Sequence, residues 1–288
     1  MNFNAVISGK AKNYINKTGI YFLLIIFSIV FIFPFIWMLS VSLQTEEEMR
    51  LAQGFFDSLI PNSWRFRNYP DVFRIVPFAR YFINSTTVTG LALIGTLISS
   101  TLTAYSFSRL QFPGRKTMIS IMLMTMIMPH FIFIIPLFKM YSYLRLINTY
   151  YPLILPAFLG GGAGSIYLIM QFFKSVPGEM LESAKIDGAG HLKIWSKIMI
   201  PLCKPVIASV AIFTFLFTWN DFMNPLIYIN REELMTVALG LNAFKGRTGI
   251  QWGYLMAASF MSMVPVLFVF VFCHRYFVEG IKMSGIKA

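Results

Sequence analysis

Charged side chains are scarce in this sequence. Only 12% of its 288 residues are charged, whereas 57% are hydrophobic. A soluble domain carries about a quarter charged residues. This composition argues against an ordinary soluble domain and favours a polytopic membrane protein. A large soluble protein with buried helices is the alternative, and the long charge-free runs described below speak against it.

Cysteine and histidine are also rare, with two and three residues respectively. Cys203 and Cys273 both fall near the predicted cytoplasmic ends of membrane spans, where the compartment is reducing, so no disulfide is expected. The two distant cysteines and three scattered histidines also predict no metal cluster. It contains no His-Glu-x-x-His motif and no phosphate-binding Gly-x-x-x-x-Gly-Lys-Ser/Thr motif. We therefore expect no metal, no cofactor and no enzymatic activity, which excludes ATP hydrolysis by that route and leaves a membrane-embedded enzyme without support.

Long runs without Asp, Glu, Lys or Arg define the membrane segments. A spanning helix needs about 20 mostly apolar residues. The runs predict an all-α polytopic protein, a single membrane domain over 1–288, with six transmembrane helices at roughly 19–43, 82–107, 117–138, 150–172, 205–229 and 252–275. Asp221 alone interrupts the fifth run.

The distribution of Lys and Arg predicts the orientation. Six spans place both termini on one side, and that side holds 14 of the basic residues against ten on the other. Because cytoplasmic loops carry the excess of Lys and Arg, both termini are predicted to be cytoplasmic. The protein is thus expected in the cell membrane, in contact with lipids. Its net charge of +12 is mainly a topology signal, and no basic soluble face predicts nucleic-acid binding.

Helix breakers occur inside two of the predicted spans. Pro129 and Pro136 interrupt the third, and Gly160, Gly161, Gly162 and Gly164 crowd the fourth. Broken helices are tolerated where neighbouring helices or a water cavity satisfy the freed backbone groups. Close packing of small residues is the alternative explanation for the glycines.

The long cytoplasmic loop 174–204 is predicted to fold as helix, turn and helix. Pro177 suits a first helical turn, and Gly188 suits a helix end. Apolar residues recur at helical spacing on both sides of the turn, namely Met180, Leu181 and Ala184, then Leu192, Trp195 and Ile198, with Pro201 ending the second helix. Helices this short need a surface to pack on. A protein groove and the lipid headgroups are both open on these grounds.

The same loop carries a recognisable pattern. Glu182-Ser183-Ala184, then Asp187-Gly188-Ala189, then Ile198 and Pro201-Leu202, resembles the signature loop of ABC importer permeases, with Ser183 in place of the usual first Ala. SRLQFPGRK (108–116), FTWNDFMNPLIY (217–228) and the tail RYFVEGIKMSGIKA (275–288) resemble the carbohydrate-uptake permeases related to the second permease subunit of the maltose importer. The resemblance places the core permease region at 81–276.

This resemblance implies a coupling mechanism and a set of partners. The loop would dock into a cleft of a cytoplasmic ABC ATPase dimer, with Glu182 meeting basic groups, Ala184 packing in the cleft and Gly188 making the turn. The family also implies a second homologous permease subunit, an extracellular solute-binding protein and a sugar or oligosaccharide substrate. Transport would proceed by alternating access. A stand-alone ion-coupled carrier is the alternative, but it would need more buried acids than Asp221.

Two further segments are candidate contact sites. Trp219, Asn220 and Asp221 could line the substrate pathway, with the carboxylate and amide binding sugar hydroxyls and the indole stacking on a sugar ring; a structural polar clasp between helices is the alternative. The resemblance also implies a binding-protein contact at about 241–252, carried by Leu241, Asn242, Phe244 and Lys245, and a second ATPase contact in the tail at 282–288. His130 is interpreted as a helix–helix hydrogen bond rather than a ligand or proton carrier.

Overall fold

The computed structural model describes residues 3–51, 54, 59–246 and 249–285, and side chains over the same ranges except 3–16, 18, 130, 246 and 274–285. The predicted roles of His130 and of the tail at 282–288 therefore lie outside the described side chains.

Helices dominate the described chain. The α-helices, in chain order, are α1 Phe3–Ser42, α2 Glu46–Leu51, α3 Asn68–Ile75, α4 Phe78–Arg109, α5 Arg115–Ile127, α6 Ile134–Tyr143, α7 Tyr151–Phe158, α8 Ala163–Ser175, α9 Gly178–Ile186, α10 His191–Ile194, α11 Ile200–Leu202, α12 Lys204–Trp219, α13 Met223–Tyr228, α14 Val237–Gly240 and α15 Trp252–Gly285. A π turn, Trp195–Met199, joins α10 to α11, and 3-10 turns occupy His130–Phe133, Glu232–Leu234 and Leu241–Phe244. Strands β1 (Lys245–Gly246) and β2 (Gly249–Ile250) form an antiparallel pair.

Four segments of the described chain are long and apolar enough to cross a membrane. They are Gly19–Ser42, Phe78–Arg109, Tyr151–Ser175 and Trp252–Cys273. Two bent pairs raise the number to six if each counts as one span: Arg115–Ile127 with Phe131–Tyr143, bent by 95°, and His191–Leu202 with Lys204–Trp219, bent by 83°. The four single segments overlap the charge-free runs predicted at 19–43, 82–107, 150–172 and 252–275, whereas the second bent pair begins at His191, within the predicted cytoplasmic loop.

Three predicted spans differ from single straight helices: the third, the fourth, which divides into α7 and α8, and the fifth. In the third, α5 ends at Ile127, and the chain turns at Pro129, whose missing N–H and fixed φ do not continue a helix. In the fifth, α12 ends at Trp219 rather than continuing to 229, and α13 follows after a break at Asn220–Phe222. Asp221 lies in that break, so it belongs to no regular helix.

The chain divides into two compact units, Met1–Ile75 with Phe244–Met261, and Val76–Ala243 with Ser262–Ala288. In the first unit, Thr45 and Glu48 form a capping box at the start of α2: the Glu48 N–H donates to Thr45 Oγ1 (3.2 Å) and the Thr45 N–H to Glu48 Oε2 (2.9 Å). Burial raises the pKa of Glu48, but hydrogen bonds from Thr45 and Ser63 outweigh that effect and leave this pKa lowered.

Helix α4 is the central element of the second unit, where it packs against α7, α8, α12 and α14. Its buried face is rich in small residues, among them Ala92, Gly95, Ser100 and Ala104. Small residues let neighbouring helices approach closely. A Cβ on Gly95 would come within 2.6 Å of the Phe158 ring of α7, so glycine is required for that contact.

Candidate coupling loop and membrane cavity

The loop after α8 begins with a short helix, α9, that ends in a glycine turn. Gly188 has φ +76°, in the left-handed region that favours glycine. The Gly188 N–H donates to the Lys185 carbonyl (3.0 Å) and the Ala189 N–H to the Ala184 carbonyl (2.9 Å). These two bonds form a Schellman motif, which closes the end of α9. The predicted helix and its glycine stop are thus present.

Small residues of the signature face the protein's own interior. Ala184 and Ala189 pack against a buried cluster that includes Leu181, Ile194 and Met199. They occupy the positions whose hydrophobic contact usually accompanies a Schellman motif. Ala184 is therefore partly buried within the permease itself, and its expected packing in a partner's cleft stays a prediction.

The exposed residues of the loop combine charge with apolar surface. Glu182, Ser183 and Asp187 are exposed, as are Ile186 (86%) and Leu192 (72%). Glu182 and Ile186 lie four residues apart and so share a face of α9. We call Glu182, Ile186, Asp187 and Leu192 the docking surface. The sequence pattern identified its charges, whereas Ile186 was missed because it fell outside the apolar stripe.

In the second half of the loop, the face packed against the cluster includes the predicted Trp195 and Ile198 but not Leu192. Leu192 is exposed, while Ile194 and Met199 are fully buried, and Trp195 and Ile198 are partly buried against the same cluster. The reason is the π turn at Trp195–Met199, since a π turn spaces its hydrogen bonds five residues apart rather than four. The segment ends at Leu202, one residue after Pro201, and the chain bends by 83° before α12 begins at Lys204.

Two side chains of α4 bind the loop directly. The Arg109 guanidinium donates hydrogen bonds to the carbonyls of Phe173 and Val176 at the end of α8. The Tyr105 hydroxyl lies 3.0 Å from His191 Nδ1 at the start of α10. Tyr105 also belongs to the cluster that holds Leu181 and Met199. Helix α4 thus contacts the loop at its start and in its middle, and these contacts are not visible in the sequence because they join residues more than 60 positions apart.

The predicted binding-protein segment consists of a 3-10 turn followed by the β1–β2 hairpin. Leu241 and Asn242 are partly exposed, Lys245 is exposed, and Phe244 is fully buried. A buried Phe244 stabilises the base of the hairpin and offers no surface to a partner. Of the four residues, Lys245 is the most accessible.

A cavity of about 600 Å³ lies within the second unit, between α4, the α7–α8 break, α12 and α13. Asp221 is the single charged residue among the described residues that line it. The lining also includes residues with hydroxyl groups, namely Thr96, Ser165, Thr214 and Thr218, and residues with aromatic rings, namely Phe213 and Phe217. No group of three His, Cys, Asp or Glu among the described residues could hold a metal ion.

Of the three predicted pathway residues, only Asp221 lines this cavity. The Asp221 carboxylate accepts hydrogen bonds from the Asn224 N–H (3.1 Å) and Asn224 Nδ2 (2.7 Å). Trp219 is buried, and its Nε1–H donates to the Ser262 carbonyl (3.1 Å). Its ring stacks on Phe215 at 5.6 Å and meets the edge of Phe82 at 5.3 Å, so it is not free to stack on a sugar.

Asn220 also points away from the cavity. Its Nδ2 donates to the Leu216 carbonyl at 2.8 Å, which satisfies the last turn of α12. The clasp interpretation therefore fits Trp219 and Asn220, whereas Asp221 has both a structural partner and a place on the cavity wall.

Residues 95–283 match the family described as the binding-protein-dependent transport system inner membrane component. The chain belongs to this family of transport permeases. It is 33% identical to the diacetylchitobiose uptake system permease protein of Streptomyces coelicolor, over 92% of this chain and 87% of that protein. It is 31% identical to the trehalose/maltose transport system permease protein of Thermococcus litoralis, over 91% of this chain and 94% of that protein.

A solved structure shows the same fold. The crystal structure of a bacterial ABC transporter involved in the import of the acidic polysaccharide alginate matches with a TM-score of 0.80 and 24% identity, over 92% of this chain and 98% of that chain. As a binding-protein-dependent permease, the chain is a transport subunit of the membrane rather than an enzyme. The predicted resemblance to ABC importer permeases is confirmed.

Proposed function

We propose that this permease carries a sugar or oligosaccharide across the membrane as part of an ATP-driven importer that works by alternating access. The similar permeases of known substrate serve diacetylchitobiose and trehalose or maltose uptake, which supports a saccharide substrate. The proposal includes six membrane spans, with each bent pair counted once, and cytoplasmic termini as the Lys and Arg distribution predicts.

The observation that carries the proposal is the construction of the docking surface. Acidic and large apolar side chains alternate along its sequence. The apolar side chains suit the hydrophobic floor of a protein groove, and the acidic ones suit its charged rim. The loop behind it is closed by the Schellman motif and packed on a fully buried cluster. Because the docking surface is exposed and its loop packs on a buried cluster, a movement of a docked ATPase dimer would be passed to the rest of the permease.

The transmission path follows from the contacts of α4. Arg109 and the Tyr105–His191 pair connect the start and the middle of the loop to this helix, and α4 forms one wall of the cavity. A displacement of the loop would therefore move the cavity wall as a rigid body. A second homologous permease subunit and an extracellular solute-binding protein complete the proposed assembly, with Lys245 as the leading contact for the binding protein.

Charge reversal at Glu182 tests the docking surface. In the complete transporter, Glu182→Lys should lower ATP-driven saccharide uptake at least tenfold, because a carboxylate that meets basic groups is replaced by a like charge. The matched variant Glu182→Gln removes the charge without reversing it and should have a smaller effect. Both are measured as uptake and ATP hydrolysis in proteoliposomes.

The outcomes separate the two candidate functions. Uptake and assembly that survive Glu182→Lys unchanged would refute docking at this surface. Uptake that proceeds without the ATPase subunit and responds to an ion gradient would instead support the stand-alone carrier.

A further inference from the structure

The cavity next to Asp221 is built from backbone as well as side chains. The break between α7 and α8 places Gly160, Gly161 and Gly162 at positive φ, and Gly161 and Gly162 line the cavity. A helix end leaves backbone N–H and C=O groups without helical partners. Within a membrane such groups are tolerated where they face protein or a water-filled cavity. This wall of the cavity is therefore compatible with water or a polar solute inside it.

This break is held in place by α4. A Cβ on Gly161 would come within 2.8 Å of both Ser99 Oγ and the Thr96 carbonyl oxygen, and Ser99 Oγ donates to the Ala157 carbonyl at 2.7 Å. Both the left-handed conformation and the close approach require glycine at this position. The opening in the span is therefore a fixed part of the structure.

The rest of the lining combines hydroxyl groups with aromatic faces. Thr214 and Thr218 lie one turn apart on α12, with the rings of Phe213 and Phe217 beside them. Thr236 also lines the cavity, and its buried Oγ1 has no hydrogen-bond partner among the described residues. A saccharide ring carries hydroxyl groups at its edge and C–H groups on its faces. The hydroxyl groups of the lining can bind the edge, and its aromatic rings can pack on the faces.

The described lining of the cavity carries negative charge and no positive charge. Asp221 contributes a carboxylate, and none of the described lining residues is a Lys, Arg or His. A saccharide that carries a carboxylate would meet a like charge with no counter-ion, in surroundings that screen charge less than bulk water does. An uncharged saccharide has no such penalty, and its hydroxyl groups can donate to the carboxylate oxygens.

We propose that this cavity is the passage site for the saccharide and that Asp221 acts as its charge filter, which admits uncharged saccharides and rejects acidic ones such as uronates. The assignment rests on the proposed function as an importer. Asp221 is then a specificity-determining residue, and its hydrogen bonds with Asn224 fix the position of its carboxylate.

Thiol labelling tests the filter without requiring transport. Thr218→Cys, in the chain assembled with its partner subunits, is treated with two methanethiosulfonate reagents of matched size, one bearing glucose and one bearing glucuronate. Labelling of Cys203 and Cys273 is subtracted with the parent chain, and Tyr143→Cys, which is highly exposed (89%) and outside the cavity, gives the reference ratio of rates. At Thr218→Cys the glucosyl reagent should be favoured by about tenfold more than at Tyr143→Cys, the effect of one charge at short range.

Two variants separate charge from structure. Asp221→Asn should return the ratio to the reference value, whereas Asn224→Ala removes the side-chain partner of the carboxylate but keeps the charge and should preserve the preference. Thr214→Cys gives a second reporter if Thr218→Cys does not assemble.

The proposal is overturned if neither reporter reacts, or if the preference survives Asp221→Asn. Labelling needs neither ATP nor uptake, so a failed filter and a failed importer give different results.

Discussion

At the scale of single residues, Gly188 determines the turn between α9 and α10. Its φ of +76° costs an L-residue about 1–2 kcal/mol, and a Cβ there would meet nothing within 4 Å, so the cost is purely conformational. Gly188→Ala should therefore leave the transporter assembled but raise the ATP hydrolysed per saccharide imported.

Gly178 offers a matched control for that substitution. It starts α9 with an ordinary φ, and a Cβ there would also meet nothing within 4 Å. Gly178→Ala should leave the ratio of hydrolysis to uptake at its original value. Equal effects of the two substitutions would show that the left-handed turn is not what matters for coupling.

Individual residues also show how far the sequence could predict the site. The signature identified Glu182, Ala184 and Gly188, and the structure places all three in the predicted helix and turn. It could not show which of them face inward, because Ala184 is compatible with either side of a short helix. The sequence shows Arg109 only as one of the basic residues that predict the orientation. Its partners are backbone carbonyls, which every residue has, so residue types cannot reveal these contacts.

At the scale of elements, α4 connects the loop to the cavity through Arg109. Arg109→Ala would remove two charge-assisted hydrogen bonds at the end of α8, which we expect to cost about 2–4 kcal/mol. The expected result is a lower unfolding temperature of the transporter in nanodiscs, together with looser coupling of hydrolysis to uptake.

Arg115 provides the comparison for Arg109. Its guanidinium group donates to the carbonyls of Phe107 and Ser108, within the local turn between α4 and α5. Arg115→Ala should lower the unfolding temperature less and leave coupling intact. If Arg115→Ala uncouples the transporter as strongly, the contact of Arg109 with α8 has no special role.

Element types were predictable where the apolar run was long, and less so where a proline or glycine interrupts it. The long runs predicted the positions of the four uninterrupted apolar segments, but the 95° bend after α5 and the early end of α12 depend on local backbone geometry. The pattern Leu192, Trp195 and Ile198 assumed an α-helix throughout. The π turn changes that period, so Leu192 is exposed while Ile194 and Met199 are buried beside Trp195 and Ile198.

At the scale of the whole molecule, the fold agrees with the family while the chain divides into two compact units. Composition alone predicted a helical membrane protein, because hydrophobic length is a global property. The cavity was not predictable, since its lining comes from five separated segments.

Lys245 allows a test of the assembly at this scale. It is exposed at the start of the hairpin, unlike the buried Phe244. Lys245→Glu should raise several-fold the binding-protein concentration needed for half-maximal ATPase stimulation, because a rim charge mainly affects association. ATP hydrolysis without binding protein should not change.

Arg50→Glu is the control for that experiment. Arg50 is an exposed basic residue of α2 in the same compact unit, so it tests for a general effect of net charge. An identical shift for Arg50→Glu would argue against a specific contact at Lys245.

The π turn also has a consequence for changes in chain length. In an α-helix, successive residues are rotated by about 100°, so Ile194 and Met199 would point roughly 140° apart and could not both be buried. The wider turn absorbs one residue and returns them to the same side. Deletion of a single residue between them would leave a regular helix in which they stand four positions apart, about 40° around the axis, so the same side chains would stay buried on that side.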